Sequence, residues 1–439
     1  MNSKELFMRR SSLAGTGFHR IWAGESISLV GTQITFFALP LVAVISLDAD
    51  AFDMGLLNAC GSLAVLLLGP SIGVWADRWE QRGTMIVANL LRCLLLAAVP
   101  LAWLLGGLNL PLLLVVAFGA GALSLLFDSA MASYIPALVG KDRLIPANSW
   151  MQSSVSVAET AGPGVAGLLI QLLGAPLAVA VDALSYLAST LALTGAPRSV
   201  SKTHEHEHEE DNHWQAIRHG LRTVLRDRVQ RPLVLAAAHF NFFTAMFFAL
   251  YILFLVRSLG FSPLLIGLLS VASGVAGLAG AAISARLAHR FGYGPVLAVA
   301  YALPGGAAVL VPLAGQVGTV PGAVLVALSG AVWSGAVVVN LILSESVKQA
   351  LVPHAYLGRA TSIIKFVSFG VEPIGALLAP GLVALGLGLG GTMLLASVGV
   401  GTSCLWLVFT GVHRLRQVAA PAEPDRPAPA PITTVGEEL

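Results

Sequence analysis

The chain has 439 residues, of which 56% are hydrophobic and 11% charged, with a formal net charge of +2 and a mean hydropathy of +0.81. A soluble globular domain carries roughly 25% charged residues, so this composition excludes a water-soluble enzyme or a nucleic-acid-binding module. Lipid is the solvent that fits, and the length allows about twelve helical spans of ~20 residues with short connections.

The first apolar run, Ile21 to Ile45, is too long for a signal-peptide core and reads as span 1, over 20–46. The following spans are read at 54–75, 84–105, 111–132, 147–173, 175–195, 232–256, 263–286, 294–314, 321–344, 360–385 and 390–411. The runs are continuous rather than alternating in short segments, which favours helices over a β-barrel. Of the 25 Lys and Arg, all but Arg257 and the intra-span Arg92 and Lys365 fall in the termini or in the 2–3, 4–5, 6–7, 8–9 and 10–11 connections. The positive-inside rule places that side, and both termini, in the cytoplasm, as expected for a multi-pass protein of the plasma (inner) membrane. The expected domains are a six-helix bundle over 1–196, a charged linker over 197–231, a second bundle over 232–411 and a Pro/Ala-rich disordered tail over 412–439.

Ionisable groups inside a span are costly and are functional candidates by default. Glu25 lies one to two turns inside span 1. Arg92 in span 3 reads as a residue snorkelling to the cytoplasmic surface. Asp128 and Glu345 lie near the cytoplasmic ends of spans 4 and 10, as gate salt bridges or as solvated helix ends. Glu159 and Glu372 lie near the middle of spans 5 and 11. Protonated, such a carboxyl is neutral and crosses a dry state cheaply; ionised, it accepts a cation. That is the chemistry of proton coupling, and a structural hydrogen bond between the halves is the alternative. Asp182 lies deep in span 6. Span 7 offers His239, Asn241 and Thr244 among Phe242, Phe243, Phe247 and Phe248, a pocket wall or a packing face.

The alternating run His204 to His213 reads as a charged linker rather than a metal site. Gly140-Lys141 is followed by Asp142, so no phosphate-binding loop forms, and no cofactor or metal is expected. Cys60, Cys93 and Cys404 are read as packing residues.

An internal repeat runs through the chain. Pro136 matches Pro353 and Asp128 matches Glu345 at an offset of 217; Asn148 matches Thr361 and Glu159 matches Glu372 at 213. Parallel repeats of six spans are an architecture of alternating-access carriers. The fold expected is therefore an all-α membrane protein of twelve transmembrane helices in two pseudo-symmetric six-helix bundles.

The segment Gly73-Val-Trp-Ala-Asp77-Arg78-Trp-Glu-Gln-Arg82 resembles the 2–3 loop signature of the major facilitator superfamily, departing from it at Gln81 and Gly83. Residues 127–149 and 182–189 resemble the branch that holds macrolide-efflux proteins and siderophore exporters, and Asp182 fits that branch's pattern. Many relatives place an acid in the middle of span 1, where this chain has Gly31-Thr32-Gln33. The resemblance implies a conformational latch at Asp77, Arg78 and Arg82, and a cavity lined by spans 1, 4, 7 and 10 in which Gln33, Asn241 and Asn340 face substrate. Gly162-Pro163-Gly164 and Gly167 resemble the antiporter motif of span 5. The expected function is proton-coupled export of a small organic molecule by a monomer, with protons and the lipid bilayer as its other partners. A proton-coupled uptake carrier and a non-transporting membrane sensor or partner-binding protein are the competing readings.

Overall fold

A backbone crossing hydrocarbon must satisfy its own N–H and C=O groups, and a helix does so within one segment. The computed structural model describes residue 13 and residues 17–140, 143–197, 227–351 and 364–416, without the side chains of 65, 69–78 and 349–351. Residues 198–226 of the linker, 352–363 of the 10–11 connection, the tail from 417 onward and the side chains of Asp77 and Arg78 lie outside the described residues.

The described residues form α1 (Phe18–Leu41, continued by a π-helical turn Val42–Ser46), α2 (Ala51–Arg78), α3 (Gln81–Leu104), α4 (Leu110–Val139), α5 (Leu144–Leu173) and α6 (Ala175–Thr194). After the linker come α7 (Gln230–Arg257), α8 (Pro263–Phe291), α9 (Tyr293–Ala314, two helical pieces) and α10 (Thr319–Leu351). The last apolar stretch, Ile364–Phe409, is continuous by length and composition, 46 residues. At 1.5 Å per residue it would reach about 69 Å, twice a bilayer core. It breaks at Gly386 and Gly388, whose φ values of 101° and 66° suit glycine. This gives α11 (Glu372–Leu382, preceded by a helical segment at 364–369) and α12 (Gly388–Thr402, continued by Leu405–Phe409). Among the described residues there are thus twelve apolar crossings.

Side-chain caps begin several of these helices. Glu80 accepts from the Gly83 N–H at 2.6 Å to start α3, and Asn109 accepts from the Leu112 N–H at 3.0 Å to start α4. Ser262 accepts from the Leu265 N–H at 3.3 Å ahead of Pro263, where the missing proline N–H costs nothing. Even-numbered helices α4, α8 and α10 run five to seven residues past their expected ends, to Val139, Phe291 and Leu351, because hydropathy marks the hydrocarbon slab and not the helix that continues beyond it.

Within the first half, α1 packs on α5 and α6, α3 on α4 and α6, and α2 on α4. The second half repeats each pairing six helices later: α7 on α11 and α12, α9 on α10 and α12, α8 on α10. The halves meet chiefly through α5 with α8 and α2 with α11, two contacts that exchange under the same six-helix shift. This is a parallel repeat with a pseudo-two-fold axis along the bundle.

Candidate functional site

Both inter-half contacts are tight at the face away from the start of α1. On α5 and α8, Gly167 and Gly267 are backbone to backbone: a Cβ added at Gly167 would lie 2.6 Å from the Pro263 carbonyl oxygen and 3.1 Å from Gly267 Cα. Thr160 closes on Gly274 in the same way, at 2.9 Å. On the other pair, a Cβ at Gly55 would lie 2.7 Å from the Ala376 carbonyl oxygen. At that same face Asp48, after α1, pairs with Arg257 at the end of α7 at 2.5 Å. Toward the face where α1 begins, α5 separates from α8. The gap is a cavity of about 600 Å³ whose lining includes Ser149, Gln152, Ser153 and Ser156, with Leu278 across. Along the α5–α8 pair the halves are joined at one end and parted at the other.

Glu159 is exposed, between Ser156 of this cavity and Thr160 of the contact. It lies across α5 from the exposed aliphatic stripe Val165, Leu168 and Leu172. Glu372, its repeat partner on α11, is half-buried and accepts a hydrogen bond from Ser62 Oγ of α2 at 2.9 Å. It too lies across its helix from exposed Ile374, Leu377 and Leu378. Gln33 packs over Gly162, joining α1 to α5.

The other expected site residues are used differently. Asn241 Nδ2 donates to the Ser368 carbonyl at 2.9 Å, tying α7 to α11. Asn340 is buried and accepts from Ser344 Oγ of its own helix at 3.0 Å, against Tyr301 of α9. His239 is a satisfied interhelical residue: Nε2 donates to the Gly399 carbonyl at 2.9 Å, and Nδ1 accepts from Trp406 Nε1 at 3.4 Å. Glu345 pairs with Lys348 of α10 at 2.6 Å rather than with an arginine of another helix. Arg82 donates to the Leu193 and Thr194 carbonyls at 2.8 and 2.6 Å, capping the C-terminus of α6 within its own half.

Arg92 is a correction. It does not snorkel; only 4% of it is exposed, and its Nη2 donates to the Leu123 carbonyl of α4 at 2.9 Å. Glu25 (8% exposed) and Asp182 (0%) are buried in the same half, and both feel the Arg92 charge. Asp128 is exposed.

Trp333 of α10 was missed from sequence. It stacks on Phe247 at 5.8 Å and meets Phe248 edge-on at 5.4 Å, and Phe248 in turn meets Tyr251. Only the α7 half of this aromatic wall showed as a run of Phe; its partner stands alone in an apolar helix.

Several known proteins are similar to the chain. The profile of the Major Facilitator Superfamily matches residues 21–376. Macrolide efflux protein A of Streptococcus pyogenes is 26% identical over 183 residues, which are 41% of this chain and 45% of the relative. The match thus spans less than half of that protein. The enterobactin exporter EntS of Escherichia coli O1:K1 / APEC is 25% identical over 391 residues, covering 87% of this chain and 89% of the relative. Among solved structures, a bacterial homologue of the iron transporter ferroportin in the inward-facing state superposes with a TM-score of 0.67 at 18% identity, over 90% of this chain and 99% of that one.

Proposed function

Because the chain belongs to the Major Facilitator Superfamily, we propose that it is a secondary transporter of the bacterial inner membrane that exports a small organic compound in exchange for protons. The observation that carries this reading is the pair of repeat-related carboxylates, Glu159 and Glu372. Each faces away from the aliphatic stripe of its helix, beside the two contacts on which the halves would rock. A protonated carboxyl there passes a closed, dry state; an ionised one holds a cation or waits for the next proton.

Export rather than uptake is supported by similarity to a macrolide efflux protein and to an enterobactin exporter. The basic residues on the terminal face support a cytoplasmic position for both termini, and the gap between α5 and α8 then opens inward. The more accessible rings of this cluster, Phe248 and Trp333, suit a substrate with an apolar or aromatic body.

Proteoliposomes with the purified chain test the reading. Macrolides and catecholate siderophores are loaded as probes, and flux is followed with and without an imposed pH gradient. Flux that rises with the gradient, and loses that dependence in Glu159→Gln or Glu372→Gln, is expected. Flux of either probe that ignores the gradient overturns proton coupling. Flux of neither overturns the substrate assignment.

A further inference from the structure

The first half buries more charge than its helices can pair. Glu25 of α1, Arg92 of α3 and Asp182 of α6 are each at least nine-tenths buried. Arg92 donates to the Leu123 carbonyl and reaches Asn89 Oδ1 at 3.4 Å. Its guanidinium lies 4.8 Å from the ring of Phe127 and 5.1 Å from that of Tyr186. It bonds to neither carboxylate. Glu25 Oε2, Asp182 Oδ2 and Arg92 Nε are all buried without a hydrogen-bond partner.

Among the described residues, the surroundings supply no second cation to either carboxyl. Asp182 accepts from Ser185 Oγ at 2.9 Å; Thr35 lies alongside, but its Oγ1 is also unpartnered, so no ordinary hydrogen bond closes there. Glu25 faces Ser189, whose Oγ accepts from Asn89 Nδ2 at 3.0 Å. Tyr186 shares a hydrogen bond with Thr32 at 3.0 Å. From α4 comes another acid, Asp128, close enough to act on Glu25. The contacts α5 makes with α1 include Trp150, Ser154 and Gly162, none of them charged. One guanidinium thus stands among three carboxyls, two of them buried. Buried, unpaired charge is expensive, and a carboxyl relieves the cost by taking up a proton.

We propose that Glu25 and Asp182 form a proton-binding site inside the first bundle, with Arg92 as their shared counter-ion and exposed Asp128 as the link to water. A metal cation fits poorly. It wants six or more oxygens around one point, whereas Asp182 abuts Gly31, six residues and about 9 Å along α1 from Glu25, with a guanidinium between. When one carboxyl gives its proton through Asp128 to water, the carboxylate formed can take the free Nε–H of Arg92. Drawing Arg92 toward α1 or α6 strains its bond to the Leu123 carbonyl, so the proton's departure is felt by α4. The inference deepens the antiport reading and rests on it only for its part in transport; the site exists or not regardless.

Infrared difference spectroscopy on the full chain in lipid nanodiscs, without substrate and in sodium-free choline buffer, tests it. Raising the pH is expected to remove a carboxylic C=O stretch. Protein carrying ¹³C-carboxyl Glu and protein carrying ¹³C-carboxyl Asp should each shift part of that band, which needs no mutation. Glu25→Gln and Asp182→Asn should each lose part of it and the double variant both parts, while the parts persist in Glu159→Gln and Glu372→Gln protein. A band whose intensity the double variant leaves unchanged, or that shifts with only one label, overturns the pair; a remnant that Glu159→Gln or Glu372→Gln removes belongs to those carboxyls. A band abolished by sodium at constant pH overturns the proton in favour of a cation. If these bands are present and flux ignores the pH gradient, the antiport reading fails and the site stands. If they are absent while flux follows the gradient, the reverse holds.

Discussion

Glu372 touches the opposite half through one hydrogen bond, and that bond separates its structural role from a chemical one. Gln keeps an acceptor for Ser62 Oγ and loses the charge. Glu372→Gln is therefore expected to melt within a degree or two of the parent while losing gradient-driven flux. Ser62→Ala should do the opposite: a loss of about 1 kcal/mol, read as a lower melting temperature in detergent, with coupling retained. Arg82 gives a contrasting case, because its two bonds go to carbonyls at the end of α6. Arg82→Ala leaves those carbonyls unpaired and should cost about 2 kcal/mol, with no change in the pH dependence of any residual flux. A change in that dependence would return Arg82 to the latch. Neither role was legible beforehand. Hydropathy and charge give the depth of a residue in the membrane, but not its azimuth. Arg92 read as a surface anchor because its depth allowed it, and only the position of Leu123 on a neighbouring helix turned it inward. The same limit left Asp182 placed by depth alone, without showing that it lies against Gly31 of α1.

At the scale of elements, the α5–α8 crossing is where small residues matter most. The Gly162-Pro163-Gly164 run and Gly167 could be read as a site of close approach from sequence, because small residues let backbones meet. Which helix would meet them could not, since nothing local in α5 names α8. In the structure the Pro163 carbonyl and Gly167 face Gly267 with no room for a side chain. Gly267→Leu should therefore prop the halves apart at the Asp48–Arg257 end while leaving each bundle's own contacts intact. Spin labels at that end of α5 and α8 are expected to show longer distances, with labels near Ser149 and Leu278 moving closer. Unchanged distances at both ends, in protein that melts normally, would mean the crossing is not a pivot. The α11–α12 boundary shows the opposite limit. Its apolar stretch has no charge to mark the turn, yet Gly386 and Gly388 were present in the sequence, and two positive φ values make them the bend.

For the whole molecule, span count and repeat were legible because both depend on one-dimensional quantities, apolar run length and residue offset. The offset that pairs Glu159 with Glu372 also pairs helices α5 and α11, each packed across the interface on a helix of the other half, α5 on α8 and α11 on α2. The conformation was not legible, because both states of a rocking pair share one sequence. What sets the balance at the joined end includes the ion pair of Asp48 with Arg257, and its loss makes a clean test. Asp48 has φ 53°, the single positive value outside glycine among the described residues. Asn tolerates that conformation as well as Asp does, so Asp48→Asn removes the charge without disturbing the turn. The pair is exposed, 37% and 94% of the side chains, and exposed pairs are weak. The expected shift toward the state parted at this end is roughly two- to five-fold in population. It should shrink at about 1 M salt, where the Debye length falls to ~3 Å, close to the pair's own separation. Spin-label distances across the Asp48–Arg257 end, in parent and Asp48→Asn protein at low and high salt, measure it. A parent distribution that ignores salt would show that glycine packing alone holds this end closed.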